Sequence, residues 1–394
     1  FHKVLERAFA AKEQDDTRQR WFDRAKHQGE RSMQIAYVCS EFAIHECMQQ
    51  YSGGLGVLAG DHLKSCADLG IPLTGFGLLY RQGYYQQELR RDGSTRVVEP
   101  LWRYEDFPMS DTGQTIACPI GRSIVDARIM HIAVGSIDLY LLDTDLKSNR
   151  MRDRDLTRGL YRGNPDLRLR QQVLLGVGVV HAADAMGLMP TVWHLNEGHA
   201  AFCGVERIAR LVEGGVERGA AEHHVAAETV FTTHTPVPAG HDRYDIDRCA
   251  EVLRPTLNRA KMGKRDLARL GQDGEDGLLC MTVLALRLAR HVNGVAAVHG
   301  EVSRNMWAGV YGCEPDDVPI THVTNGVHPG TWMPPLVADF WRREIGLRPS
   351  RSVPRCETWT KATGADHAAF WDIRRTMRSR LVQVVRERLV AQAR

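Results

Sequence analysis

Short β-branched and apolar runs recur along the chain, each followed by small polar residues and then by apolar positions at helical spacing. This alternation predicts strands that are each followed by a crossover helix. It therefore predicts an open α/β fold with a mostly parallel sheet flanked by helices. The predicted strands are residues 34–38, 137–142, 191–195, 229–233, 295–299 and 320–324.

Polar residues follow four of these predicted strands. Because the carboxyl ends of parallel strands meet at one edge of a sheet, we expect the four clusters to converge on one cleft. Asn, His and Thr side chains donate and accept hydrogen bonds without requiring a counter-charge, so they suit a ligand covered in hydroxyl groups. A sugar fits better than a phosphate alone. The clusters are residues 196–199, 232–235, 299–301 and 324–326.

Helical spacing is clearest in two other segments. Residues 173–190 form the most apolar stretch, but His181 and Asp184 within it favour a buried helix over a membrane span. From Ala365 onward, apolar residues recur every three or four positions and predict an amphipathic helix. Glycines and charges predict surface connections at residues 211–222 and 271–277.

Composition narrows the class of protein. The 394 residues are 43% hydrophobic, which is typical of a globular chain rather than a disordered one. Lysine and arginine total 51 against 48 acidic residues, so a nucleic-acid or membrane surface is not expected. The 9 cysteines form no Cys-x-x-Cys pair, which argues against a disulfide framework or zinc and favours the cytoplasm. No targeting segment is visible in a sequence that starts at Phe1.

A glycine-rich turn at residues 51–60 precedes a predicted helix. Backbone amides at such a helix start can bind an anion closely, although a plain structural turn is an equally simple interpretation. A dinucleotide fingerprint using Gly54, Gly56 and Gly60 is disfavoured because the preceding strand ends near Val38, too early for that motif.

A metal site is also disfavoured. His194, Glu197 and His199 resemble a His-x-x-Glu-His zinc motif but contain one extra residue. A five-residue offset on a helix does not return to the same face. Single histidines are commonly structural, and it is the shared position of His199 and His234 after predicted strands that makes both candidates for a site.

Taken together, the ordered motifs resemble the α-glucan phosphorylase family, which includes glycogen, maltodextrin and starch phosphorylases. The resemblance runs from about residue 35 to the C-terminus and corresponds to the N-terminal half of the family. The amino-acid sequences of residues 80–84 and 236–242 resemble those of the shorter bacterial and archaeal branch of the family. The segments that carry the resemblance are residues 41–42, 53–56, 58–59, 77–80, 168–172, 195–199, 234–235, 293–295 and 324–326.

The resemblance implies a two-domain GT-B glycosyltransferase fold. Residues 1–345 would be the N-terminal, Rossmann-like, glucan-binding domain, and residues 346–394 would begin the connection to a C-terminal domain that binds pyridoxal 5′-phosphate. The implied reaction is phosphorolysis of glycogen or maltodextrin by orthophosphate, which releases glucose 1-phosphate with retained configuration. The cofactor's 5′-phosphate would shuttle the proton. The cofactor lysine lies outside this chain, so the isolated chain is expected to be inactive.

Matched positions imply roles for individual residues. His234 and Asn325 would hold the glucosyl unit, and Glu197 and His199 would line the same subsite or orient its residues. The expected contacts to substrate or phosphate are Gly53, Gly54, Leu55, Gly56, Thr235 and Thr324, with Gly54 also facing the cofactor. Two positions depart from the well-studied glycogen enzymes: Ala43 replaces a tyrosine near the cofactor and Ser52 replaces an asparagine before the glycines.

Other functions remain open at this point. A nucleotide-sugar glycosyltransferase of the glycogen synthase type has the same fold, and a non-catalytic glucan-binding module would explain the missing cofactor half. A glycosidase is less consistent with the sequence, since it needs two facing carboxylates and only Glu197 is suitably placed. The expected partners are α-1,4-glucan, orthophosphate and glucose 1-phosphate; a homo-oligomer is compatible with the sequence.

Overall fold

The computed structural model describes residues 19–24, 32–104, 107–274, 276–347 and 356–393. Its strands are β1 (Ile35–Cys39), β2 (Leu73–Leu78), β3 (Gln86–Leu89), β4 (Thr95–Val98), β5 (Ser110–Ile120), β6 (Ser123–Val134), β7 (Ile137–Asp143), β8 (Val192–Asn196), β9 (Thr229–Thr232), β10 (Arg243–Asp245), β11 (Leu278–Cys280), β12 (His291–Gly294) and β13 (Ile320–His322).

The α-helices vary from single turns to a helix of 27 residues. They are α1 (Trp21–Arg24), α2 (Gly54–Leu69), α3 (Met151–Arg154), α4 (Pro165–Val173), α5 (Val179–Ala185), α6 (Phe202–Glu213), α7 (Arg218–Ala227), α8 (Ile246–Val252), α9 (Arg254–Arg259), α10 (Lys264–Gly271), α11 (Met281–Arg287), α12 (Ala297–Tyr311), α13 (Pro329–Trp332), α14 (Pro335–Ile345), α15 (Cys356–Thr360) and α16 (His367–Ala393).

A nine-stranded sheet runs through the fold in the order β13-β12-β9-β8-β1-β2-β7-β6-β5. The strands from β13 to β7 pair in parallel, while β5 and β6 extend the sheet as an antiparallel hairpin. The predicted α/β fold with a mostly parallel sheet is therefore confirmed. From β1 the chain passes to β2, crosses to the sheet edge at β5 and comes back through β6 to β7. Strand β8 then pairs on the opposite side of β1, so the strand order reverses between β1 and β8.

Helices cover both faces of the sheet. Val38 and Leu195 point into the larger buried cluster, whereas Tyr37 and Cys39 point into the smaller one. Successive side chains of β1 therefore point to opposite faces of the sheet and contribute to two cores, as expected for a strand buried on both faces. The burial of apolar surface in these cores is the main force that holds the helices against the sheet.

The predicted buried helix at residues 173–190 is confirmed as far as Ala185, where α5 ends. It joins α4 through a π-helical turn at Leu174–Gly178, all of whose residues are buried. A Cβ on Gly176 would meet the backbone nitrogen of Cys203 at 2.7 Å, so glycine permits the close approach of this turn to the start of α6. No helix in the described ranges has the length and apolar character needed to cross a membrane.

Two sequence predictions are wrong in their boundaries. The strand predicted at residues 295–299 is β12, which lies earlier, and His299 belongs to helix α12. A Cβ on Gly294 would meet His299 Nδ1 at 2.8 Å, so the chain folds tightly back into the helix at this point. The surface connection predicted at residues 211–222 is confined to residues 214–217, because α6 runs to Glu213 and α7 begins at Arg218. The connection at 271–277 joins α10 to β11, with residue 275 outside the described ranges.

The amphipathic helix predicted after Ala365 is confirmed as α16, but only its first part is covered. Phe370 stacks against Phe340 and Trp341 of α14, with ring centroids 5.3 Å apart in both pairs. Farther along the same stripe, Leu381 is 64% exposed. Helix α14 ends at Ile345. The division of the chain at residues 345 and 346 stays a prediction.

A buried carboxylate ties three helices together behind the sheet. Glu206 of α6 is fully buried and accepts hydrogen bonds from Arg210 Nε at 3.0 Å and from Arg259 Nη1 of α9 at 2.9 Å. His181 Nε2 of α5 lies 3.0 Å from the same carboxylate. A buried charge with several partners is stable only while the partners remain, so this network fixes α5 and α9 against α6.

Candidate active site

The strand-order reversal puts the residues that follow β1 and β8 beside one another. In open α/β sheets, the crevice at such a reversal, outside the carboxyl ends of the strands, is where ligands bind. Ser40 and Glu41 follow β1, and Glu197 follows β8. All three are at least nine-tenths buried in the described chain. Polar residues that are buried at a strand edge require partners, and their contacts define the site.

Glu197 connects the ends of β8 and β9. Its Oε2 accepts from the backbone N–H of His234 at 2.9 Å and from Thr235 Oγ1 at 3.1 Å, while its Oε1 accepts from Gly198 N at 3.0 Å. Burial raises the pKa of this carboxyl, but the adjacent His199 and His234 and the donated N–H groups bring the pKa below its ordinary value. Glu197 is therefore an ionised acceptor that holds the segment after β9.

Glu197 also has a strained backbone, with φ of 73° and ψ of 163°. This region suits glycine, and a non-glycine residue in it costs about 1–3 kcal/mol. The described non-glycine residues with positive φ are Tyr161, Glu197 and Lys261, and the first two belong to this crevice. Strain of this kind persists when surrounding contacts enforce it, which here are the hydrogen bonds of the carboxylate.

His234 has a defined ring orientation. Its Nε2 lies 2.5 Å from Asn196 Oδ1, and the Asn196 amide nitrogen in turn donates to Cys39 Sγ at 3.1 Å. With the amide oxygen as acceptor, Nε2 must carry the proton, which leaves Nδ1 able to accept from a ligand hydroxyl. Burial lowers the pKa of His234 to about 4, so the ring is neutral at pH 7.

The glycine bend is bound to the crevice through Glu41. Glu41 Oε2 accepts from Ser52 N at 2.7 Å and Gly53 N at 3.4 Å, and Tyr161 donates its hydroxyl to Oε1 of the same carboxylate. The amide of Gly53 is thus already engaged. Residues 54–56 precede the first backbone bond of α2, from Val57 N to Gly53 O at 3.2 Å, so their amides are the ones that remain for an anion.

His199 lies on the other side of the crevice with Asp242. Its Nδ1 is 3.1 Å from Ser40 Oγ and its Nε2 is 3.5 Å from Asp242 Oδ2. This Ser-His-Asp order resembles a hydrolytic triad, but Arg168 donates to both oxygens of Asp242 at 2.6 and 2.8 Å. Gln172 adds a third donor at 2.6 Å. The carboxylate is therefore occupied by α4, and the cluster orients His199 rather than activating a nucleophile.

Two cavities open at this edge of the sheet. One, of about 300 Å³, is lined by Ser40, Tyr161, Arg168 and His199. The other, of about 540 Å³, is lined by apolar and uncharged polar residues and suits an uncharged polyhydroxylated ligand. Its lining residues are Tyr37, Leu58, His62, His194, Asn196, Thr232, Asn293, Val323, Thr324, Asn325 and Gly326.

The structure brings the sequence-predicted residues to one edge in two groups. Glu197, His234 and Thr235 form one hydrogen-bonded unit, which touches the larger cavity through Asn196. Thr324 and Asn325 line that cavity directly. His199 faces the smaller cavity, and Gly53, Gly54, Leu55 and Gly56 form the start of the helix whose Leu58 lines the larger one. The roles of these residues stay predictions.

Several residues of the crevice were not predicted from sequence. Asp242 and Tyr161 occupy loops, and their contacts to Arg168, His199 and Glu41 indicate a role. His62, Tyr37 and His194 form a ring cluster with centroids 4.9–5.9 Å apart. His62 lies two turns after the glycine bend and lines the larger cavity together with Leu58.

The described residues contain no group of three or more His, Cys, Asp or Glu side chains that could hold a metal ion. His194, from the zinc-like sequence pattern, instead pairs its Nε2 with Thr232 Oγ1 at 2.8 Å. Thr232 donates to Asn293 Oδ1 at 2.9 Å, so it accepts from His194 and fixes the ring tautomer. The described cysteines are free thiols.

The buried histidines predict loss of stability in acid. Burial lowers the pKa of His194 to about 3 and that of His234 to about 4, against about 6.5 in an unfolded chain. The unfolded state therefore binds more protons between these values, and stability falls as pH decreases from about 6.5 toward 4. We expect the thermal midpoint to drop over this range and to drop less in His194→Gln. The variant His223→Gln, at an exposed histidine, is the control. An equal drop of the thermal midpoint in both variants would show that His194 does not cause the loss of stability.

Comparison with known proteins identifies the family. No protein-family model matches the chain. It is 40% identical over 319 residues to a maltodextrin phosphorylase of Thermococcus litoralis, covering 79% of this chain and 38% of that protein. It is 38% identical over 390 residues to a glycogen phosphorylase of Mycobacterium tuberculosis, covering 90% and 43%.

A glycogen phosphorylase of Aquifex aeolicus is 30% identical over 364 residues, covering 90% of this chain and 52% of that protein. The chain thus spans about two fifths to one half of the length of these curated relatives. The resemblance found in the sequence motifs and the identity over most of the chain agree: the chain belongs to the α-glucan phosphorylase family.

Proposed function

We propose that the chain is the glucan-binding, N-terminal portion of an α-1,4-glucan phosphorylase with a GT-B fold. In the complete polypeptide, orthophosphate would cleave the terminal glucosyl unit of glycogen or maltodextrin and release glucose 1-phosphate with retained configuration. The observation that carries the proposal is the neutral His234 after β9, oriented by Asn196 and Glu197 beside a cavity lined by Asn325. The names of the relatives support it.

The glycine bend is compatible with a phosphate group. A Cβ on Gly53 or Gly54 would meet no atom within 4 Å, so an anion can approach the amides that follow. Helix α2 has no acidic residue in its first turn, and the Glu41 carboxylate at its start engages only the amides of Ser52 and Gly53. These residues fit the phosphate of pyridoxal 5′-phosphate or orthophosphate. No lysine lines either cavity at this edge of the described chain, and the lysine that would bind the cofactor would belong to the rest of the complete polypeptide.

The chain's own residues would bind and orient the substrate. Unprotonated Nδ1 of His234 would accept a sugar hydroxyl, and Asn325 would donate to or accept from another. Amides of residues 54–56 would orient the phosphate. Glu197 would hold His234 in place and would remain ionised rather than transfer a proton. The cofactor, when bound, supplies proton transfer through its 5′-phosphate.

The structure offers less support for the alternatives. A glycosidase would require two carboxylates across one cavity, but the larger cavity has none in its lining, and Glu41 and Glu197 are engaged by backbone donors. A nucleotide-sugar glycosyltransferase has the same expected fold, so it must be separated by assay. A glucan-binding module without catalysis would retain the cavity and lack the reaction.

The test uses the complete polypeptide that contains this chain. We expect glucose 1-phosphate to form from maltodextrin and orthophosphate, the activity to disappear when pyridoxal 5′-phosphate is removed, and to return when it is restored. The 394-residue chain alone should show neither pyridoxal absorbance nor phosphorolysis. Glucose transfer from a nucleotide sugar in place of phosphorolysis would overturn the proposal, and so would phosphorolysis by the isolated chain.

A further inference from the structure

The inner face of α12 carries a polar stripe, which consists of His299, Ser303 and Trp307 at four-residue spacing. Their exposed fractions are only 9%, 1% and 2%. Each nevertheless has a buried polar atom without a partner among the described residues: His299 Nε2, Ser303 Oγ and Trp307 Nε1. Buried polar groups are almost always hydrogen-bonded, so three such atoms on one helix face require an explanation.

The polar stripe faces the segment that follows β9. His241 packs against Trp307 in an edge-on arrangement with ring centroids 4.9 Å apart. Burial lowers the pKa of His241, and nearby His299 contributes to the same shift. The stripe therefore contacts this segment directly through Trp307. His241 Nε2 and the fully buried Thr233 Oγ1 also lack partners among the described residues. Thr233 and His241 flank His234 in the chain.

The other nitrogen of His299 has a definite partner. Val295 N donates to His299 Nδ1 at 3.2 Å, so Nδ1 is unprotonated and the proton of the neutral ring lies on Nε2. The carbonyl of Val295 in turn accepts from Asn325 N at 3.0 Å. One ring nitrogen of His299 thus supports the segment that carries Asn325, while the other is buried and has no partner among the described residues.

We propose that His299 is a positioning residue that couples the two halves of the sugar site. It acts on Asn325 through Val295, and on His234 through an ordered water shared by His299 Nε2, Ser303 and the segment 233–241. The unpartnered atoms include N–H donors on His299 and Trp307 and acceptors at Ser303 and His241, which are the kinds of partner that a buried water needs. The effect on turnover rests on the proposed function; the water and the Val295 contact do not.

Three substitutions separate the two contacts in the complete polypeptide. His299→Asn keeps an acceptor near the position of Nδ1, His299→Gln keeps a polar amide near Nε2, and His299→Phe keeps the ring volume with neither. We expect His299→Phe to lower kcat/KM for phosphorolysis about ten-fold, mostly through a higher KM for glucan, because both sugar-reading segments shift. His299→Asn and His299→Gln should each lose less. Val298→Ala, at an adjacent position that is 72% exposed, is the matched control.

A high-resolution crystal structure of the parent protein should show a water within hydrogen-bond distance of His299 Nε2 and of Ser303 Oγ or His241 Nε2. A direct protein acceptor at Nε2 would overturn the proposal. So would variants that reduce only the amount of folded enzyme, with kcat and KM per folded molecule unchanged. If the parent does not degrade glucan with phosphate, the proposed function fails, and the crystallographic result still decides the water-mediated contact.

Discussion

Glu197→Gln should lower kcat/KM for glucan phosphorolysis about 10²–10³-fold, the range seen when a preorganised polar contact at a reacting centre is lost. The side chain keeps its size, but an amide –NH₂ now faces either the N–H of Gly198 or the N–H of His234. A donor placed against a donor forces one of the segments to move, and misplacing a substrate-binding group by about 1 Å costs about 10²-fold.

A second substitution separates activity from folding. Glu197→Gly adopts the observed φ of 73° without strain, so it should unfold at a higher temperature than Glu197→Ala while both remain equally impaired in kcat/KM. Steady-state kinetics and thermal unfolding of the same preparations provide the measurement. The exposed Glu314→Gln is the control. Parent-like kcat/KM in Glu197→Gln would show that this carboxylate does not position His234.

Glu206→Ala should reduce the free energy of unfolding by about 1.5–3 kcal/mol, because it removes the buried acceptor of several charge-assisted hydrogen bonds, although the arginines keep their second partners Asp184 and Glu213. Arg210, Arg259 and His181 all contact this carboxylate, whose exposed fraction is 0%. The helices α5 and α9 lose their common anchor. Urea unfolding followed by tryptophan fluorescence measures the difference.

Glu213→Ala is a matched control on the same helix. Glu213 also pairs with Arg259, at 2.7 Å, but its side chain is 49% exposed. An exposed ion pair contributes about 0–1 kcal/mol, so this variant should unfold close to the parent. Equal urea midpoints for Glu206→Ala and Glu213→Ala would mean that the buried network contributes no more than an exposed ion pair.

The sequence predicted the strands that carry the site because those strands are buried on both faces and read as continuous apolar runs. β1, β7, β8 and β9 lie within one or two residues of their predicted bounds. β12 was displaced because it reads His-Val-Asn-Gly, whereas the more apolar segment that follows it belongs to a helix. The antiparallel pair β5 and β6 was not predicted at all, since its edge position mixes exposed and buried residues.

The candidate site was likewise only partly predictable from the sequence. His234, Glu197 and Asn325 were found because each follows a predicted strand, and parallel strands bring their ends together. The contacts among those residues could be identified only from the three-dimensional structure. Positive φ at Glu197 is not encoded in residue type, and the contact of Asp242 with Arg168 joins positions 74 residues apart. Such contacts between residues distant in sequence arise from tertiary packing, so residue spacing along the chain does not predict them.

The reversal of strand order also determines the stage of protein synthesis at which the crevice can form. During synthesis, β1, β2 and β7 can pair as soon as they leave the ribosome, because they occupy consecutive positions on one flank of the sheet. The opposite wall requires β8, β9, β12 and finally β13, so Asn325 arrives almost 300 residues after Ser40. The smaller core, whose members lie between Tyr37 and Leu141, can therefore form in a nascent chain well before the crevice edge is complete.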